Sequence, residues 1–228
     1  MATSVLEAQQ RLSTLSVCAI ADAMAKLQIH SHLVDVLPVP SSLSSSSSSS
    51  SFLTTNICGS AFTVQLVPAT GASVKKQSFH YVDKTASGQV IVISAPSGST
   101  SGVFGGLLAA AAKARGAVAV VTDGRVRDVQ ELSAMDFPAF SCGTSVHGQQ
   151  GATTVADVNC PIVVAGCVVR PNDIIRGDVN GVLVVPIERA EEVAAMAARI
   201  EQQDDHVAKA VKQGSGLQES FRRFRSKL

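Results

Sequence analysis

GGLLAAAAKARGAVAVVTDGRVRDVQE, residues Gly105–Glu131, is the stretch whose reading decides the fold. Two glycines lead into Leu107–Arg115, a run of strong helix formers, and Gly116 stands where the glycine that ends a helix belongs. Ala117–Thr122 is then apolar without polar alternation, which predicts a strand buried on both faces. Asp123-Gly124 stops that strand, and the charged turn DGRVRD, Asp123–Asp128, follows at its carboxyl end. Glycine loop, helix, buried strand and polar turn in that order predict an α/β protein. In such sheets ligands bind at the edge where this turn falls.

Toward the N-terminus, Val17, Ile20, Ala21, Met24 and Leu27 recur at helical spacing, so a helix is expected over about Leu12–Leu27 with Ser16 as its N-cap. Pro38, Pro40 and the run Ser44–Ser51 break the pattern. A serine tract cannot bury enough apolar surface to offset its ordering entropy, so residues 41–51 are expected to be a disordered insert within the domain. Short β-like runs follow at Ala61–Val67 and Gln89–Ser94, and Ser97–Gly106 reads as a permissive loop. Beyond the central stretch, strands are predicted at Pro138–Cys142, at Pro161–Val169 folded back at Gly166, and at Val182–Val185. Pro171-Asn172-Asp173 and Asp178-Val179-Asn180-Gly181 read as turns, and a helix is expected from Glu188 to about Ala210. Gln213–Gly216 reads as a mobile stretch, and Phe221–Arg225 continues no visible core pattern. The expected organisation is an N-terminal extension 1–11, one domain 12–205 and a C-terminal tail 206–228.

With 228 residues, 46% hydrophobic and 16% charged, the chain can bury a core of its own. A net charge of +1 supplies no field for collecting nucleic acid, and with no Trp and one Tyr there is no platform for stacking bases. No apolar run approaches bilayer length and no secretory segment opens the chain, so neither membrane nor export is expected. Cys18, Cys58, Cys142, Cys160 and Cys167 are odd in number and form no CxxC pair, which predicts reduced, mostly buried thiols. His30, His32, His80, His147 and His206 lack zinc-ligand spacing and are assigned ordinary polar roles.

Gly105 and Gly106 allow a ligand close to the backbone, and the amides of Leu107 and Leu108 open a helix, which suits a small carboxylate or phosphate. In DGRVRD an arginine beside an aspartate can grip a carboxylate with its planar fork while the aspartate anchors a hard divalent cation. The spacing alone equally fits a solvated hairpin tip whose charges pair among themselves. Neither GxGxxG nor GxxxxGK[ST] occurs. Asp22 is either a helix-surface acid or a group facing the site, while Asp173, Asp178 and Asn180 read as turn formers.

The same stretch resembles the signature of the regulator of ribonuclease activity A family, which includes the 4-hydroxy-4-methyl-2-oxoglutarate aldolases. The shared pattern is a Gly-rich entry, an Ala-rich helix ending in RG, an apolar strand and DGxxRD. Three further segments are similar to the family: Ser16–Ile29 with Asp22, Ile57–Val64, and Val168–Pro186 with its two turns. The resemblance covers about residues 12–195. It implies a single-domain, three-layer ββα arrangement of the swivelling, phosphohistidine-domain-like type, assembled as trimers or hexamers. It implies that Gly105, Gly106, Leu107 and Leu108 bind a 2-oxo acid through backbone amides, that Arg127 holds its carboxylate, and that Asp128 holds a divalent cation, Mg or Mn. Glu131 completes the R-D-x-x-E variant of the aldolase branch as a supporting acid. One position departs: many members carry an acid just before the Leu-Leu pair, where this chain has Gly106.

The chemistry implied is a lyase reaction through a pyruvate enolate, by retro-aldol cleavage of 4-hydroxy-4-methyl-2-oxoglutarate-type acids, by decarboxylation of oxaloacetate, or both. A Schiff-base route needs a lysine in an apolar setting, and Lys113 on an exposed helix position is a poor candidate. The other reading the family offers is a non-catalytic, protein-binding regulator of an RNA-degrading enzyme. The family's methyltransferase label finds no S-adenosylmethionine glycine motif here. The last residues, Ser226-Lys227-Leu228, match the address read by the peroxisomal import receptor, so a peroxisome or glycosome is the expected location.

Overall fold

The structure, a computed structural model, describes residues 2–39, 55–70 and 78–225. The serine insert 41–51 and the terminal Ser226-Lys227-Leu228 lie outside the described residues. The described chain forms two compact units. One comprises residues 31–187; the other comprises residues 1–30 together with 188–228.

In the larger unit the chain begins with two short strands, β1 (His32–Leu33) and β2 (Leu37–Pro38), then the long β3 (Ile57–Pro68) and β4 (Gln89–Ser94). β5 (Gly102–Phe104), helix α1 (Gly106–Ala114), β6 (Ala119–Thr122), β7 (Arg125–Val126), α2 (Val129–Ala134) and β8 (Ala139–Ser141) follow. β9 (Thr153–Val158), β10 (Ile162–Val164), β11 (Cys167–Val169), β12 (Ile174–Asp178) and β13 (Gly181–Val185) complete it. The main sheet runs β1-β13-β12-β3-β4-β6-β8-β2, with β9 on β3; its centre, β3-β4-β6-β8, is parallel and its other pairs are antiparallel.

Alternation along the central strands sets the layers. Ile91 and Ile93 of β4 and Val120 of β6 pack with Ala109 and Ala112 of α1 and Leu132 of α2. Val90, Val92, Ala119 and Val121 point the other way, onto Ile162, Val164 and Val169 of the β10–β11 hairpin. A hairpin on one face and helices on the other give the three-layer ββα arrangement. They also explain why Ala119–Thr122 shows no polar alternation: all four are buried. The hairpin turns at Ala165-Gly166, both at positive φ (47° and 81°), the pairing of turn and strand twist that short hairpins favour. At the end of α1, Gly116 at φ +80° lets its own N–H reach Lys113 O (2.9 Å) and that of Ala117 reach Ala112 O (3.0 Å), closing the helix as its sequence predicts.

The second unit is helical: α3 (Ala2–Thr14), α4 (Val17–Lys26), α5 (Ala190–Lys212) and α6 (Leu217–Phe224), with α3, α4 and α6 each packed on α5. The helix expected over Leu12–Leu27 is broken at Leu15-Ser16, where the Ser16 hydroxyl caps α4 by accepting from Ala19 N at 3.1 Å. Gln213–Gly216 is a bonded turn instead of a mobile stretch, with Ser215 N donating to Ala210 O at 3.0 Å. Phe221–Arg225 belongs largely to α6, whose Ser220 is buried and whose Phe224 ring lies 5.6 Å from that of His206. No disulfide joins the five thiols, yet they are not mostly buried: Cys18 and Cys142 are exposed and the other three half-buried.

Candidate functional site

β6 delivers Asp123 to the carboxyl end of the sheet, where the chain turns instead of entering a helix. The Asp123 carboxylate accepts from Ala95 N (2.8 Å) and Ala165 N (3.0 Å), tying the ends of β4 and the β10–β11 hairpin together. Burial pushes this carboxyl above the ordinary range, against the N–H bonds from Ala95, Ala165 and its own backbone that lower it. Arg125 donates to Thr144 O at 3.1 Å. The first half of DGRVRD is therefore scaffold, and its charges do not pair with one another as a solvated tip would.

The second half enters a cavity of about 550 Å³, lined by Ser101–Gly105, Leu107, Leu108, Arg127, Asp128 and residues 147–150. Asp128 lies at φ +56°, the left-handed region, and this bend turns its carboxylate back onto the start of α1. Its Oδ2 accepts the Gly106 N–H at 3.1 Å and stands 3.3 Å from Arg127 Nε. The two side chains keep 42% and 32% of their surface open, so the pair is reachable from the cavity. With Gly106 satisfied, the amides of Leu107 and Leu108 remain as the unbonded first-turn donors of α1, at the positive end of its dipole.

The glycines are required by close approach. A Cβ on Gly105 would stand 2.6 Å from Asp128 Oδ2, and one on Gly148 would stand 2.8 Å from Arg127 Nη1. A Cβ on Gly106 would fall 1.8 Å from Glu131 Oε2. The space that a side chain at position 106 would enter is thus filled from α2 by the end of the Glu131 side chain.

The structure brings Gly105, Leu107, Leu108, Arg127 and Asp128 to one cavity, with Gly106 and Glu131 against its edge. Lys113 is exposed and donates to Met135 O. Asp22 is exposed on α4. Asp173 is buried and accepts from Arg170 N (2.8 Å), and Asp178 accepts from Asn180 N (2.7 Å), as turn formers do. Sequence reasoning missed the wall from His147 to Gln150. Its one signal is a cluster of polar side chains around glycines, Ser145–Gly151, between two strands. Among the described residues no cluster of three or more His, Cys, Asp or Glu side chains is placed to hold a metal by itself.

Known proteins resemble this chain in sequence and fold. The profile of the RraA-like family, described as Aldolase/RraA, matches residues 17–184. A Halalkalibacterium halodurans protein named "Putative 4-hydroxy-4-methyl-2-oxoglutarate aldolase" is 32% identical over 155 residues, 68% of this chain and 71% of that one. Protein DlpA of Legionella pneumophila is 28% identical over 215 residues, covering 92% of this chain but only 32% of its own length, so the chain spans about a third of that relative. The crystal structure of an uncharacterized Pseudomonas syringae pv. tomato protein superposes with a TM-score of 0.79 at 27% identity, covering 94% of this chain and 96% of that one. The match of the profile across both the glycine-led helix and the DGRVRD turn makes this chain a member of the RraA-like family.

Proposed function

We propose that this protein is a carbon–carbon lyase that releases pyruvate from small 2-oxo acids, by retro-aldol cleavage of 4-hydroxy-4-methyl-2-oxoglutarate-type substrates or decarboxylation of oxaloacetate. The observation that carries the reading is the convergence of Arg127, Asp128 and the first turn of α1 on one cavity. The relatives' printed name supplies the substrate class.

Arg127 presents a planar fork to the substrate carboxylate, and the free amides of Leu107 and Leu108 add two aligned donors. Breaking the C3–C4 bond leaves its electron pair on the three-carbon fragment as the enolate of pyruvate. The guanidinium and amides face that developing charge without needing to reorganise. A proton returned to C3 completes pyruvate. The leaving half departs as carbon dioxide, or as a carbonyl compound once its hydroxyl has given up a proton.

The donor set suits a weakly held Mg or Mn. Asp128 offers an open carboxylate oxygen, Glu131 lies beside Gly106, and the absence of side chains at Gly105 and Gly106 leaves room for water and substrate oxygens. Such a cation, when bound, supplies Lewis-acid polarisation of the 2-oxo acid. The test is a pyruvate-release assay with oxaloacetate and with 4-hydroxy-4-methyl-2-oxoglutarate, with and without chelator. Turnover that chelation removes and added Mg or Mn restores is expected. Turnover that survives exhaustive chelation overturns the cation, and no pyruvate from either substrate overturns the lyase in favour of a non-catalytic regulator.

A further inference from the structure

The cavity has two unlike walls. Arg127 is the single permanently charged cation among the described residues that line it, so one carboxylate is provided for. A second stretch of the lining is built from His147, Gly148, Gln149 and Gln150. Its backbone is pinned. Gly102 N donates to His147 O at 2.8 Å, Ser145 N to Val126 O at 2.9 Å, and Ala152 N to Gln149 O at 3.0 Å. Arg125 holds Thr144 O from below. The side chains are otherwise: His147, Gln149 and Gln150 carry no side-chain hydrogen bond among the described residues, although each has donors and acceptors to offer. A fixed backbone that presents uncommitted amide and imidazole groups to a cavity is the arrangement of a recognition surface. Gly148 lets this stretch approach Arg127 Nη1, which places the polar groups beside the fork.

We infer that His147 and Gln149 are specificity-determining residues, selecting 2-oxo acids whose far end carries a hydrogen-bond acceptor, a carboxylate above all. The inference rests on the lyase reading only for which half of the substrate lies there. The three-carbon 2-oxo unit sits at Arg127 and the first turn of α1, and the leaving half faces His147 and Gln149. The cavity, at about 550 Å³, has ample room for both halves.

Titration calorimetry with pyruvate, which has only the near half, and with 2-oxoglutarate, which adds a far carboxylate, tests this in the full-length protein with Mg present. The wild type is expected to bind 2-oxoglutarate more tightly. His147→Ala and Gln149→Ala are each expected to weaken 2-oxoglutarate about tenfold, the worth of one hydrogen bond to a charged group, and to leave pyruvate within about twofold. Both positions are surface side chains on a pinned backbone, so the variants fold, and a thermal melt verifies it. Equal loss for the two ligands, or no loss for 2-oxoglutarate, overturns the assignment. A wild type that binds with this preference yet releases no pyruvate refutes the lyase and leaves the selective wall standing.

Discussion

Asp123 and Asp128 stand at the two ends of one six-residue turn and do opposite things. Asp123 spends both carboxylate oxygens on backbone N–H groups, of Ala95 and Ala165, and leaves nothing for a ligand. Asp128 spends one oxygen on Gly106 N and Arg127 and holds the rest open to the cavity. The difference teaches that the charge of a motif does not say which of its acids does chemistry; the backbone donors each one meets do. A carboxylate that satisfies two part-buried N–H groups is architecture, since its removal strands both donors.

The sharpest way to break the comparison is to truncate each acid in turn. Asp128→Ala is expected to lower kcat for pyruvate release by about 100-fold or more while the melting temperature moves little, since it removes an open cavity group. Asp123→Ala is expected to do the reverse, costing about 1–3 kcal/mol in chemical denaturation for each N–H it strands, with the greater part of activity kept in the folded fraction. Equal effects of the two substitutions on both measurements would erase the distinction. A smaller effect should come from Arg127→Lys, which keeps the charge but loses the fork that lies against Gly148. Steady-state kinetics should show kcat/KM down about tenfold, with KM raised and kcat lowered together. An unchanged KM would move carboxylate binding away from Arg127.

The smallest effect expected is a pH slope. Burial raises the folded-state pKa of Asp123 above its ordinary 3.8, so between those two values the native protein holds more protons than the unfolded chain. Stability from this group is therefore full below the ordinary value, declines as pH rises through the raised one, and is flat beyond. Melting temperatures of wild type and Asp123→Asn across that window should differ in slope, the variant losing this decline.

How much of this was legible in the sequence follows from distance along the chain. The helix from Gly106, its ending at Gly116 and the doubly buried β6 are local: propensity, one glycine and an unbroken apolar run suffice. Arg127 and Asp128 are neighbours in sequence, so their pairing could be suspected; that the same carboxylate reaches Gly106 N, 22 residues away, could not. The wall at His147–Gln150 was invisible for the same reason, since a bond from Gly102 places it there. The helix α2 has only six residues, too few for a period to declare itself. α6 was missed because its apolar face is two phenylalanines set among arginines, a pattern that makes sense only once α5 is beside it.

The helical unit joins the two ends of the chain, and one bond measures the span: Ser16 N donates to Glu201 Oε1 at 3.0 Å across 185 positions. On the ribosome, α3 and α4 are made before the sheet, but the helix on which both pack is made only after it. Their apolar faces, Leu12, Ile20 and Met24 among them, must wait through synthesis of the whole sheet before α5 covers them. A ribosome stalled before Ala190 thus presents α3 and α4 without the helix that covers them.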